Sequence, residues 1–318
     1  MTHRTVADIG EHALISRITR RLAQPSWVIV GPGDDAAVLR PERGALDVLT
    51  TDAIVEGVHF DRRFVPPGAI GHRALAVNLS DLAAMGARPR AALLSFVLPD
   101  QLDVAYVDEI VDGLMALADK HSVTVVGGNI TRSPRQDSQA PGPLMIDVTA
   151  IGYVKPRRVL TRAGARPGDE VYVTGTIGAA ALGLSTQQGE AFEKYLRPEP
   201  RVRLGMLLGR NRAASACIDL SDGLADGLRQ IASASAVGIT VDEAAIPVAD
   251  GPLALDSDDY ELLFTVRPTW RGRLRAVRSQ AGDLPITRIG LVTKGARVML
   301  RNSSGDRDLP AGYEHFRE

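Results

Sequence analysis

Gly31-Pro32-Gly33-Asp34-Asp35-Ala36 is the stretch on which the fold assignment turns. It follows a short β-rich run, Ser26–Val30, and fits the spacing G-x-G-x-x-A of dinucleotide-binding turns. That reading fails on two counts. The fingerprint needs a helix that opens at the turn and aims its N-terminal amides at a pyrophosphate. Here Pro41 and Gly44 follow too soon for a long helix to start. Two aspartates would also repel a bare pyrophosphate, and they suit a phosphate only if divalent cations lie between.

Outward from this loop the chain alternates α and β patterns. Ile9–Arg21 has helical spacing, Leu46–Thr51 reads as a strand, Gly71–Met85 as a helix and Ala91–Leu98 as a buried strand. From Asp103 to His121, the apolar residues Val104, Val107, Val111 and Leu114 recur at three- and four-residue intervals, which predicts an amphipathic helix. Val123–Val126 and Leu144–Val154 read as strands, and the polar, Pro- and Gly-bearing Ser133–Pro143 as a surface loop. An Arg-, Pro- and Gly-rich stretch near Pro156–Pro167 marks a domain boundary, giving domains over 1–155 and 156–318. Beyond it, strands are expected at Glu170–Thr174, Ile239–Val241, Glu261–Val266, Ile286–Leu291 and Ala296–Leu300. Helices are expected at Gly178–Gln187, Arg201–Ala214 and Gly223–Ser235.

The bulk numbers agree with two globular domains. The chain has 318 residues, against a prior of roughly 100–200 per domain. Hydrophobic residues at 45% supply a core for each. A net charge of −1 gives no electrostatic reason to expect nucleic acid or an anionic membrane as partner. There is no long apolar run and no signal-peptide pattern, so a cytoplasmic location is expected. The single cysteine, Cys217, excludes an internal disulfide and a cysteine-based zinc cluster, and its apolar neighbours predict a buried thiol.

Acidic residues recur at the ends of apolar segments in both halves. Thr50-Thr51-Asp52 closes a strand; Asn78 and Asp81, three apart on a helix, can share a face. Asp219 and Asp222 flank Ser221 before a helix, and Ser257-Asp258-Asp259-Tyr260 precedes a strand. Singly, each has a plain structural explanation: a strand end, a helix edge, an N-cap or a solvated turn. Together, hard oxygen donors without a matching set of His or Cys point to Mg²⁺ held with phosphate. Asp81, in an otherwise apolar helix, is expensive to bury unless paired or metal-bound. The chain has no G-x-x-x-x-G-K-[ST] loop and no H-R-D loop, so an ATP-using enzyme here belongs to neither the P-loop nor the protein-kinase class. Gly127-Gly128-Asn129 and Arg162 are candidates to meet phosphate, and Val173–Gly178 is a turn that can hold an anion or simply join a strand to a helix.

These motifs occur in a familiar order. Gly33-Asp34-Asp35, Thr50-Thr51-Asp52 with Glu56-Gly57-Val58-His59-Phe60, Ala74–Pro89 (ALAVNLSDLAAMGARP), Gly127-Gly128-Asn129, Leu160–Asp169, Val171–Gly178, Arg197-Pro198, Ile218–Leu224 and Asp259–Thr265 together resemble the thiamine-monophosphate kinases over nearly the whole chain. The resemblance implies the two-domain fold shared with aminoimidazole ribonucleotide synthetases. That is an N-terminal α/β domain that binds ATP and Mg²⁺ and dimerises through its sheet, and a C-terminal α+β domain. It implies ATP-dependent phosphorylation of thiamine phosphate to thiamine diphosphate, by in-line transfer without a phosphoenzyme. Under the same resemblance Asp35, Thr50, Thr51, Asp52, Asp81, Asn129, Asp219 and Asp222 are Mg²⁺ ligands. Gly128, Asn129, Arg162 and Ser221 are nucleotide contacts, and His59, Asp258 and Tyr313 are substrate contacts. Three positions depart from the family: Asn129 stands where many members have Asp, Asp256–Tyr260 replaces Gly-Gly-Glu-Asp-Tyr, and Ala179 replaces a frequent Asp. The apolar strands Ala91–Leu98 and Leu144–Val154 lead to the expectation of a homodimer. Another member of the fold superfamily with a different acceptor, a non-catalytic nucleotide-binding relative, and a Mg²⁺-dependent phosphohydrolase are the alternatives.

Overall fold

The computed structural model describes residues 4–134, 141–251, 253–310 and 312. Tyr313 and the middle of the expected Ser133–Pro143 loop lie outside them, while Ser133 at its start is buried. The chain divides into two compact units: Met1–Asn78 with Pro89–Tyr153, and Leu79–Arg88 with Val154–Glu318.

In the first unit the helices are α1 (Val6–Ile9), α2 (Glu11–Thr19), α3 (Pro67–Ala84) and α4 (Val104–His121). The strands are β1 (Val28–Val30), β2 (Val38–Leu39), β3 (Leu46–Val55), β4 (Arg88–Leu98), β5 (Thr124–Arg132) and β6 (Met145–Val154). β1 and β2 form a small ribbon; the other four make a sheet of order β3-β6-β4-β5. No helix opens after Gly33, as the rejected dinucleotide reading requires. α4 follows the predicted stripe: Val107, Ile110, Val111 and Leu114 are buried and the helix packs on β5. Asp103 caps it by accepting from Ala105 N over 2.9 Å. β6 alternates cleanly, with Ile146, Val148 and Ala150 buried and Asp147, Thr149 and Ile151 half-exposed on the other face.

α3 meets α4 at a point where no side chain fits. A Cβ on Gly113 would stand 1.9 Å from the carbonyl oxygen of Gly68. The two helices are therefore in backbone contact.

The second unit adds β7 (Glu170–Thr174), β8 (Ala216–Asp219), β9 (Gly238–Asp242), β10 (Leu262–Val266), β11 (Ile286–Thr293), β12 (Val298–Asn302) and β13 (Gly305–Asp308). Its helices are α5 (Ala179–Thr186), α6 (Gly189–Leu196), α7 (Val202–Asn211), α8 (Gly223–Ser235) and α9 (Arg271–Arg278). Its sheet runs β13-β12-β9-β11-β7-β10-β8, antiparallel except for β12 beside β9. β7, β8 and β10 are buried along their whole length, so both faces are covered. α8 lays Leu224, Leu228 and Ile231 into the core with Val171, Ile218, Ile239 and Leu263. Two buried glutamates pin this sheet. Glu261 is paired with Arg201 and accepts from Thr174, and Glu170 accepts from Arg271 Nη2 at 2.6 Å. Among the described residues, no helix is long and apolar enough to cross a membrane.

The Gly68–Gly113 contact yields a test. Alanine favours a helix over glycine by up to about 1 kcal/mol, but here its Cβ meets a backbone oxygen that cannot swing aside. Gly113→Ala is expected to lose about 1–3 kcal/mol net, read from the urea midpoint. Gly272→Ala, on α9 where a Cβ meets nothing within 4 Å, should hold or raise stability and serves as the control.

Candidate functional site

The first unit presents a cavity of about 700 Å³. Its walls are α2, the Gly31–Ala37 loop, and the half-exposed face of the sheet, with Ser95 on β4, Asn129 on β5 and Asp147 and Thr149 on β6. Gly128 and Asp35 also border it. β4 and β5 are parallel and in register at Ser95 and Asn129. The loop and the glycine pair singled out in the sequence thus line one hollow.

β3 runs straight through Thr50, Thr51 and Asp52 and continues to Val55, beyond the expected end at Thr51. Successive side chains of a strand point to opposite faces, so the three do not act from one side. Thr51 belongs to the face of Asp147: its Oγ1 donates to Asp147 Oδ1 over 3.2 Å and lies 3.1 Å from Thr149 Oγ1. Thr50 and Asp52 share the other face with buried Ile54. Asp147 was not among the sequence candidates. The signal was present in β6, where one carboxylate interrupts an otherwise apolar run beside Thr149.

The Glu56–Phe60 block forms a tight turn. Glu56 accepts from Arg62 Nε over 2.6 Å and from Leu144 N over 2.9 Å. His59 Nδ1 accepts from Val55 N over 3.1 Å, which places the proton of the neutral ring on Nε2. The imidazole is therefore oriented to present Nε2 as its donor.

In the second unit the last turns of α3 carry Ser80 and Asp81. Asp81 is only half-buried and is not the aspartate enclosed beside Ser80. Asp219 is, at 4% exposure, and its Oδ2 accepts from Ser80 Oγ at 2.7 Å. Asn78, fully buried, donates through Nδ2 to Ala74 O within its own helix. β8 delivers Asp219 to its end, and a turn through exposed Ser221 and half-buried Asp222 starts α8. That turn needs Gly223: its φ is 87°, and a Cβ there would stand 2.4 Å from Leu255 O. Tyr260 N donates to Leu220 O and Ala225 N to Leu255 O, so the 255–260 segment lies directly on the Asp219–Gly223 turn. Arg162 is exposed and donates through Nη1 to Gln230 of α8, which in turn donates to Asp226.

The Asp256–Tyr260 segment has a structural role. Asp259 accepts from Gly178 N at 2.7 Å and Ala180 N at 2.9 Å, and Ser257 Oγ accepts from Ala181 N at 3.1 Å. The anion held at the Val173–Gly178 turn is thus the chain's own carboxylate, set at the N-terminus of α5. Burial pushes the Asp259 carboxyl up to about 6, with neighbouring Asp258 adding to it, against the lowering effect of the amides it binds. Asp258 itself is half-buried on the same segment. Cys217 is buried as expected, and burial raises its thiol well above the usual range.

The donor set fits Mg²⁺ in one specific way. Among the described residues no three His, Cys, Asp or Glu side chains converge to hold a metal by themselves. Mg²⁺ asks for less, typically one or two carboxylates with water and substrate phosphate completing six oxygens. The first unit offers Asp35 in a loop; the second offers Asp81 in the last turns of α3, Asp219 at the end of β8 and Asp222 at the start of α8.

Comparison with known proteins gives a consistent result. The family "AIR synthase related protein, N-terminal domain" matches residues 33–154, and its C-terminal counterpart matches 166–301. The chain is 38% identical to thiamine-monophosphate kinase of Salmonella typhimurium, over 96% of this chain and 98% of that one. The crystal structure of thiamine-monophosphate kinase from Stenotrophomonas maltophilia is similar at 36% identity and a TM-score of 0.78, covering 94% and 98% of the two chains. AaThiL complexed with AMPPCP and TMP is similar at 30% identity and a TM-score of 0.74, covering 99% and 100%.

The raised Asp259 carboxyl has a pH signature. The folded chain takes up its proton near 6, the unfolded chain near the ordinary aspartate value of 3.8. Its contribution to stability is therefore fully present below the unfolded value and is lost as pH rises through about 6. Asp259→Asn removes this dependence. From pH 7.5 to 4.5 the parent should gain on the order of 1–2 kcal/mol relative to the variant, measured by urea unfolding of both at each pH.

Proposed function

The chain belongs to the thiamine-monophosphate kinase family, and from that premise we propose that it passes the γ-phosphoryl group of ATP to thiamine phosphate by direct in-line attack, with Mg²⁺ bound. The observation that carries the reading is that similarity to the AaThiL complex with AMPPCP and TMP runs over 99% of this chain. The products are thiamine diphosphate and ADP. The acceptor phosphate oxygen is ionised at neutral pH, so no strong general base is needed and no side chain forms a covalent intermediate. Bound Mg²⁺ would supply neutralisation of phosphate charge.

The chain's own groups then have positioning tasks. Asp35, Thr50, Thr51, Asp52 and Asn129 of the first unit, and Asp81, Asp219 and Asp222 of the second, would hold several Mg²⁺ ions, directly or through water. Thr51 does so from the Asp147 face of β3. Gly128 and Asn129 meet the nucleotide at the cavity wall; Arg162 and Ser221 are the second unit's nucleotide contacts. The Nε2–H of His59 donates to the acceptor, Asp258 contacts it from the loop on the Asp219 turn, and Tyr313 packs against its rings. The domain over 1–155 carries ATP and Mg²⁺ binding and dimerisation, and the enzyme works in the cytoplasm.

The purified chain with ATP, Mg²⁺ and thiamine phosphate should form thiamine diphosphate, and a chelator should stop it. Thiazole, pyrimidine and purine phosphates should not be accepted. ATP made chiral at the γ-phosphorus should give product of inverted configuration; retention would point to a phosphoenzyme. Phosphate release from ATP with no transfer to thiamine phosphate would make the protein a hydrolase.

Homodimerisation finds support in β3, an edge strand of its sheet, where Leu46 and Leu49 are 49% and 66% exposed. Edge strands with exposed apolar side chains invite pairing. Light scattering at micromolar concentration should return twice the 33.9 kDa of one chain. A monomer mass across that range speaks against the dimer.

A further inference from the structure

Ser80 and Asp219 are 139 residues apart and both lie within the second unit, at 0% and 4% exposure. A helical serine commonly spends its hydroxyl on a carbonyl one turn back. Buried Asn78, two residues earlier, uses its amide in that way on Ala74 O. Ser80 instead donates to the Asp219 carboxylate at 2.7 Å, a charge-assisted bond of the stronger kind. The donor is neutral, so it orients the carboxylate oxygen without cancelling its charge. It also joins two pieces of chain that each carry a candidate cation ligand: Asp81 follows Ser80 directly, and Asp222 follows Asp219 by one turn.

We propose that Ser80 is a positioning residue of the kinase site. Its hydroxyl fixes the rotamer of Asp219 and ties the Asp81 turn of α3 to the Asp219–Asp222 turn, so the acidic oxygens are set before Mg²⁺ and nucleotide arrive. Preorganisation of this kind spares the cation the cost of ordering its own ligands, and partners behind metal ligands typically carry 10- to 100-fold in affinity. The inference rests on the reading of Asp219 as a Mg²⁺-holding residue.

The test uses the full-length chain with three substitutions, Ser80→Ala, Ser80→Cys and Asp219→Asn. Sulfur keeps nearly the size of the hydroxyl but is a weak donor. Two quantities are read: the Mg²⁺ concentration that half-saturates turnover, and the dissociation constant of Mn²⁺ with AMPPCP present, followed by electron paramagnetic resonance. Ser80→Ala should raise both about 10-fold or more, and Ser80→Cys by less. The Michaelis constant for thiamine phosphate should stay within about twofold of the parent's, an effect on the cation rather than on the acceptor. If Asp219→Asn weakens Mn²⁺ binding while the folded Ser80 variants bind as the parent does, the positioning role is wrong and the site stands. If Asp219→Asn leaves Mn²⁺ binding untouched, the metal reading of Asp219 falls and the proposal with it. A Ser80 variant that melts lower but binds Mn²⁺ normally makes the hydroxyl a packing device. Should neither Ser80 variant fold, its role is structural and the proposal is overturned.

Discussion

Backbone contact between Gly68 of α3 and Gly113 of α4 leaves the first unit little freedom. With no side chain between them, the helices cannot slide or rotate without a clash or a void, since protein interiors are packed as densely as crystals. α3 is 18 residues long. Its C-terminal turns are counted with the second unit, where Ser80 reaches Asp219. The order of residues along one helix thus decides which polar group is buried and which faces outward. Asn78 and Ser80 are enclosed, while Asp81 remains half-exposed.

Much of this was legible in the sequence because it is local. α4 shows its apolar stripe in four valines and leucines, and β6 is one long apolar run. α9 is hidden in the sequence because half of Arg271–Arg278 is arginine and only Leu274 and Val277 face the core. β8 leaves no trace in the sequence because four residues are too few for a period to show. α6, with exposed charges and two buried residues at its very end, gave no start signal.

The site was legible as composition and illegible as geometry. Thr50, Thr51 and Asp52 are neighbours in sequence, yet the pleat of β3 sends the middle one to the opposite face. Asp259 looks like a solvated turn residue, and only the fold shows that it caps a helix whose amides lie some eighty positions earlier. That capping ties the Asp256–Tyr260 segment to the start of α5. Ser257 and Asp259 each take a helix amide and bond to one another at 3.0 Å. Tyr260 accepts a positive φ of 52° there, a strain carried by its buried side chain and its bond to Leu220 O.

The lone cysteine gains a use from its position. Cys217 sits in the outermost strand of its sheet, hydrogen-bonded at its free edge to Thr161 O and paired with Phe264 on the other side, two residues ahead of Asp219. While β8 is docked, the thiol is shut away from solvent and held in its protonated, unreactive form. A thiol reagent can therefore reach it only when that strand lifts away. The rate at which an aromatic disulfide colours the solution becomes a clock for detachment of the strand that carries Asp219, read without any engineered label.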